Sequence, residues 1–120
     1  MPDRDSLPDY DIHGATVRID GIRVEFEHPI ATVVPYQGRF LVLFEYMDLP
    51  EPFENRNIIA CTFDGEREWQ IEESPASNDH GNPFVGLAEE DIGLVGYTWR
   101  GLSVIIDTDT GDWEIYQFNK

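Results

Sequence analysis

The histidines and the single cysteine are the side chains of this chain best suited to bind a metal or act as a nucleophile. His13, His28 and His80 lie far apart, so no two of them have the close spacing of a short-range metal pair. Cys61 lies in the apolar run NIIACTF, where burial would raise the thiol pKa and make the sulfur inert. We therefore predict neither a zinc site nor a cysteine nucleophile.

The acidic residues offer two further candidates, a calcium loop and a carboxylate pair for acid–base catalysis. The run DTDTGD at 107–112 is spaced like part of a calcium loop, but Gly111 stands at the fifth position, where the EF-hand pattern needs a ligand. We interpret the run as a hairpin turn in which Gly111 supplies positive φ. Adjacent carboxylates such as Glu72 and Glu73 point to opposite faces of a strand, so they do not converge.

No short motif of the chain belongs to a catalytic or phosphate-binding site. The sequence contains no G-x-S-x-G elbow, no glycine-rich phosphate loop, no H-E-x-x-H helix and no C-x-x-C pair. We therefore expect a non-enzymatic protein without metal or cofactor. Two alternatives stay open: a domain that binds a small ligand or cation through aromatics and carboxylates, and an enzyme whose site converges from distant strands.

The net charge of the chain argues against two classes of partner, nucleic acids and anionic membranes. Its 24 Asp and Glu against 8 Lys and Arg give a formal net charge of -16. No basic stripe exists that could neutralise the phosphates of a nucleic acid, and an anionic membrane surface is disfavoured for the same reason. We therefore expect neither nucleic acid nor membrane as a partner.

The same composition indicates a cytoplasm of high salt concentration. Lys120 is the only lysine, and the other bases are arginines. Acid excess with almost no lysine is typical of halophile proteins, because strong salt relieves the self-repulsion of a compact state. A lone cysteine forms no internal disulfide, and the N-terminal MPDRDSLPDYD lacks the basic and apolar regions of a signal peptide, so we expect a cytoplasmic location.

The pattern along the chain predicts one β domain behind an arm. Residues 1–14, rich in aspartate and proline, predict a flexible acidic N-terminal arm, and 15–120 predict a single soluble β domain. Asp20-Gly21 between two alternating runs is a strong hairpin signal. In RFLVLFEYM both faces are apolar, with Phe40 on one and Leu41 on the other, which predicts a central strand covered on both sides.

Similar runs recur to the end of the chain, so the predicted fold class is all-β. We expect about nine or ten short strands in a single antiparallel meander, forming a sandwich or a barrel. LAEEDI at 87–92 could instead form one helical turn capped by Gly93. Gly21, Gly65 and Gly111 are expected at positive φ in tight turns. The predicted core contains Phe26, Val42, Phe44, Ile59, Cys61, Phe63, Trp69, Val104, Ile106 and Trp113.

Two segments repeat one pattern. NIIACTFDGEREWQI and LSVIIDTDTGDWEIY each run from an apolar strand through an acidic-glycine turn to a tryptophan and an alternating strand. Each resembles the strand–turn–strand unit of quinoprotein-type propeller blades, although two units are too few to close a propeller. The whole chain resembles small uncharacterised prokaryotic, haloarchaeal-like all-β proteins, a resemblance that implies a fold and no activity. The matching positions are EHPI at 27–30 and Asn57, Gly65, Trp69, Asp107, Thr110 and Gly111.

The aromatic side chains either fill the core of a small β domain or form a contact surface. Tyr97 and Trp99 alternate with Thr98 and therefore share a face, and Arg100 follows them at a corner. Tyr97, Trp99 and Arg100 form the candidate interaction surface. We expect a non-enzymatic soluble β module that associates with itself, as a homo-oligomer, or with another protein.

The net charge predicts that the stability of the fold rises with salt. Thermal melts should give a higher melting temperature at about 2 M KCl than at about 0.1 M, because the Debye length falls from about 10 Å to less than about 3 Å. Repulsion among the acidic side chains is then screened. A melting temperature that stays flat or falls as KCl is added would contradict the high-salt interpretation.

Overall fold

The computed structural model describes residues 10–19, 21–47, 55–74 and 81–118, and in these ranges each regular element is a β-strand. Eleven strands form three sheets, and within each sheet every strand pairs antiparallel with the next one in the chain. The predicted all-β antiparallel meander is therefore confirmed. The sheets stack face to face and do not close into a barrel.

The three sheets follow one another along the sequence. The first, here called the cover sheet, contains β1 (Tyr10–His13), β2 (Thr16–Ile19) and β3 (Ile22–Glu25). The second, the middle sheet, contains β4 (Ile30–Tyr36), β5 (Arg39–Phe44), β6 (Ile58–Thr62) and β7 (Arg67–Gln70). The third sheet contains β8 (Phe84–Glu90), β9 (Gly93–Thr98), β10 (Leu102–Ile106) and β11 (Trp113–Phe118).

The middle sheet is apolar on both faces and lies between the other two. In β5, Phe40 and Val42 pack against the cover sheet, whereas Leu41 and Leu43 pack against the third sheet. All four side chains are buried, and β6 continues the same alternation. The prediction that this strand is central and covered on both sides is confirmed.

The tight turns also follow the sequence. Gly21, Gly65 and Gly111 have φ of 83°, 96° and 85°, as expected for hairpin glycines. Between β4 and β5, Gln37 and Gly38 both have positive φ, 53° and 84°. Two consecutive residues of this kind give a turn whose twist matches that of the flanking strands.

Two segments differ in secondary structure from the sequence prediction. Tyr10–His13 forms β1 inside the segment assigned to the flexible arm, because Tyr10 and Ile12 pack against the core. Residues 1–9 lie outside the described residues, so an arm there stays a prediction. LAEEDI is not a helical turn, because β8 runs as a strand to Glu90 and pairs with β9.

The predicted core is largely confirmed. Seven of its residues are buried: Phe26, Val42, Phe44, Ile59, Cys61, Val104 and Ile106. Phe63, Trp69 and Trp113 are half-buried and pack against the edges of the two clusters. The largest aromatic side chains therefore border the core rather than fill it.

The two repeated hairpins, β6–β7 and β10–β11, are joined by hydrogen bonds. The indole nitrogen of Trp69 donates to the carbonyl of Thr108 at 2.9 Å, and that of Trp113 donates to the carbonyl of Glu72 at 3.0 Å. The backbone amide of Glu72 donates to the carbonyl of Gly111 at 2.9 Å. These hydrogen bonds join β7, at the edge of the middle sheet, and the residues after it to the turn between β10 and β11 and to the start of β11.

Gly111→Ala should destabilise the fold more than Gly38→Ala. Both glycines have nearly the same φ, 85° and 84°, so the backbone strain of an alanine is the same at each. A Cβ at Gly111 would lie 2.6 Å from Cε3 of Trp69, whereas one at Gly38 would meet nothing within 4 Å. Urea unfolding should show an additional loss of about 1–3 kcal/mol for Gly111→Ala, as for other overpacked sites. Equal losses would contradict the packing of Trp69 on this turn.

Candidate functional site

The most exposed large aromatic of the described residues lies at the turn between β9 and β10. The Trp99 side chain is 61% exposed, and its ring centroid lies 5.4 Å from that of Tyr46, with the planes tilted by 43°. Tyr46 follows β5 of the middle sheet, so the contact bridges two sheets. Tyr46, Trp99 and the exposed Arg100 are called the aromatic corner below.

Hydrogen bonds fix the backbone that carries this corner. The amide of Trp99 donates to the carbonyl of Pro83 at 2.9 Å, and the amide of Arg100 donates to Oδ1 of Asn82 at 2.8 Å. The next amide, that of Gly101, donates to the carbonyl of Thr98 at 3.1 Å. Three consecutive backbone amides are thus hydrogen-bonded in the turn that carries Trp99.

Asn82 is itself buried and connects the turn to other strand ends. Its exposure is 1%, and its amide donates to Oδ1 of Asn55 at 2.7 Å. The hydroxyl of Ser74 donates to the Asn82 carbonyl at 2.6 Å. The aromatic corner therefore rests on a buried polar network that joins the segments before β6, after β7 and before β8.

Tyr97 lies in different surroundings from Trp99. Its ring packs over Gly86 of β8, and its hydroxyl donates to Oε2 of Glu90 at 2.5 Å. This hydrogen bond, and to a lesser extent burial, raises the pKa of Tyr97. The strand ends at Thr98, so the alternation that predicted a shared face for Tyr97 and Trp99 stops before Trp99. The structure brings Trp99 and Arg100 to the corner and leaves Tyr97 on the outer face of the third sheet.

The segment DTDTGD is a hairpin turn. The Asp107 carboxylate accepts from the amide of Asp109 at 2.9 Å, and the Thr110 hydroxyl accepts from the amide of Asp112 at 3.1 Å. These side chains bond the local backbone, as the hairpin interpretation predicts. Within the described ranges, no group of three or more His, Cys, Asp or Glu could hold a metal ion.

The histidines stay apart in the fold. His13 lies at the end of β1, and the His28 ring lies edge-on to Phe44, 6.4 Å between centroids. His80 lies outside the described residues. In the part of the chain that the structure describes, no helix is long and apolar enough to span a membrane.

Cys61 is enclosed between the middle and cover sheets. Its side chain is fully buried in the cluster that contains Phe40 and Ile59. Burial raises the pKa of the thiol to about 11, against an opposing effect of Arg67. A neutral, enclosed thiol is a poor nucleophile.

Two members of this site were missed from the sequence. Tyr46 continues the alternation of RFLVLFEYM, which assigned it to the face of Phe44, but β5 ends at Phe44. Asn82 stands in the dipeptide Asn-Pro directly before the buried Phe84, which begins β8. An amide at such a position is a signal of a capping or turn role, but its distant partners are not visible in the sequence.

The Cys61 thiol should resist alkylation in the folded protein. At pH 8, iodoacetamide should modify Cys61 far more slowly in the native chain than in the urea-unfolded chain, because the thiol is buried and its raised pKa leaves little thiolate. Mass spectrometry of the modified chain gives both rates. Equal rates in the two states would contradict the burial of Cys61.

One family model matches nearly the whole chain. It is described as Domain of unknown function (DUF7957), and it matches residues 7–118. No curated protein and no solved structure matches the chain. The match includes β1, in agreement with its place in the fold. The chain belongs to the DUF7957 family of domains of unknown function.

Proposed function

We propose that this chain is a non-enzymatic β module that binds another protein through the aromatic corner. The single observation that carries the proposal is that Trp99, 61% exposed, is held on a turn bonded to the buried Asn82. Exposing an indole to water is unfavourable, and the hydrogen bonds of this turn hold Trp99 in an exposed position. A partner that covers the indole would remove this cost.

The residue types of the corner support binding. Tryptophan, tyrosine and arginine are the residues most enriched at binding hot spots, and Tyr46, Trp99 and Arg100 are of these types. A turn that is already ordered loses little further entropy when a partner binds. The arrangement therefore favours recognition of a protein surface or peptide that offers a pocket or cleft for the indole.

Two further expectations belong to this proposal. The net charge of -16 supports a role in a cytoplasm of high salt concentration. The hydrogen-bonded hairpins β6–β7 and β10–β11 are, in chain order, the last two strands of the middle sheet and of the third sheet. This equivalence supports a relation of the two sheets to propeller blades.

Selection of peptides from a random phage-displayed library on the wild-type chain tests the proposal. The selected peptides should bind Trp99→Ala about 30-fold or more weakly, since truncation of a hot spot costs about 2 kcal/mol or more. Ile92→Ala is the matched control, because Ile92 is also exposed, at 49%, and lies in the turn between β8 and β9. Thermal melts verify that both variants fold. Peptides that bind Trp99→Ala as tightly as the wild type would contradict the proposal.

A further inference from the structure

Nearly all described arginine side chains have an acceptor or an acidic neighbour. The chain has only 8 Lys and Arg for 24 Asp and Glu, so each base lies among many carboxylates. Four of the six described arginines bond to a carboxylate or a backbone carbonyl: Arg23 to Glu25, Arg39 to Glu68, Arg67 to Glu27 and Arg56 to the carbonyl of Ile71. A fifth, Arg18, stands opposite Asp11 in the register of β1 and β2.

Arg100 is the exception. Its side chain is exposed and, within the described ranges, forms neither an ion pair nor a hydrogen bond. Its backbone amide, in contrast, is held by Oδ1 of Asn82 at 2.8 Å. A guanidinium carries only donors and stays charged in proteins. The turn therefore fixes the position of a positive group whose donors the described chain does not use.

The position of Arg100 couples it to Trp99. The amides of Gly101 and Leu102 donate to the carbonyl and the hydroxyl of Thr98, both at 3.1 Å, and Gly101 has φ of 93°. These features are typical of a three-residue hairpin loop, a tight turn followed by a glycine of positive φ. Trp99 and Arg100 are the two central residues of that turn. A partner that covers the indole therefore also comes into contact with the guanidinium.

We propose that the aromatic corner recognises an acidic segment of a protein, in which an Asp or Glu carboxylate pairs with Arg100 beside the apolar group that covers Trp99. This inference rests on the proposed function, because Trp99 must be the point of contact. Taking a charge out of water without a counter-charge is costly. The partner must therefore bring an acceptor for Arg100, and a carboxylate fits best because it accepts two parallel N–H bonds from one guanidinium.

The net charge of the chain makes the salt dependence of binding diagnostic. A basic segment is attracted by the charge of -16 at long range but brings a second positive group to Arg100. An acidic segment is repelled at long range, and that repulsion is screened at about 1 M salt, where the Debye length is about 3 Å. Its direct hydrogen bonds to Arg100 remain. Binding of an acidic segment should therefore strengthen as KCl is added, whereas binding of a basic one should weaken.

Selection of phage-displayed random peptides on the wild-type chain at about 2 M KCl tests the chemistry of the partner. Selected peptides that require Trp99 should carry Asp or Glu at a constant distance from their apolar anchor. The affinity of a synthetic copy should increase between about 0.1 M and about 2 M KCl. Trp99-dependent peptides that are rich in Lys and Arg, and whose affinity falls as KCl is added, would overturn the inference.

A double-mutant cycle measures the contact itself. Arg100→Gln should weaken binding of the acidic peptide about tenfold, as expected when a hydrogen bond to a charged group is lost. The same variant should bind a peptide whose carboxylate is replaced by a carboxamide as the wild type does. Arg18→Gln is the matched control, since it removes the same charge from an exposed side chain of the cover sheet. It should change both affinities less than about twofold, and thermal melts verify that both variants fold.

Two further outcomes separate this inference from the proposed function. Peptides that require Trp99 but bind Arg100→Gln as they bind Arg18→Gln would overturn the inference and leave the proposed function intact. Peptides that bind Trp99→Ala as tightly as the wild type would overturn both.

Discussion

The middle sheet has no face that can be left to water, and the rest of the fold follows from this constraint. Its side chains belong to two separate apolar clusters, one with the cover sheet and one with the third sheet. Each fully buried leucine or phenylalanine contributes about 1.5–3 kcal/mol, so exposing either face would cost more than a small domain can lose. Both faces must therefore be covered, and in this chain the sheet before β4–β7 covers one and the sheet after it covers the other.

Where the middle and third sheets meet, buried backbone groups at the strand ends still need hydrogen-bond partners. Asn57, which is fully buried directly before β6, supplies hydrogen bonds to such groups. Its side-chain amide donates to the carbonyls of Phe44 and Phe84, at 3.1 and 2.7 Å, and its oxygen accepts from the amide of Phe84 at 3.0 Å. A hydrophobic residue there would remove these hydrogen bonds, and each buried group that found no other partner would cost about 1–3 kcal/mol. The same end of the stack, joined in this way, carries Asn82 and the aromatic corner.

Much of the fold was visible in the sequence because local rules decide it. Gly21 and Gly65 identified their turns, since positive φ is a property of single residues. The two apolar faces around Phe40 and Leu41 predicted a central strand, since alternation assigns each side chain to a face. The strand β1 was missed because Tyr10 and Ile12 stand beside an acidic, proline-rich segment, and their burial depends on the distant core.

The candidate site was less visible because it depends on contacts between distant residues. Trp99 and Arg100 were identified as a surface, but the partner of Trp99 is Tyr46, which belongs to another sheet. Alternation grouped Tyr97 with Trp99, and that rule applies only while the chain stays in a strand. The turn after Thr98 redirects Trp99, and the bond from Arg100 to Asn82 that fixes the turn joins residues 18 positions apart. No local pattern encodes such a pair.

The net charge of -16 determines how contacts between chains depend on salt. Repulsion among like-charged chains acts over about one Debye length, so in dilute salt it opposes every contact between copies, and in strong salt only the groups in direct contact matter. Under the second condition, an exposed indole such as that of Trp99 gains free energy from leaving water. The cover sheet retains exposed charges such as Arg18 and Glu25, which keep that side of the stack hydrated. Under the proposed function, recognition is therefore left to the aromatic corner, where the indole of Trp99 is exposed at the turn between β9 and β10.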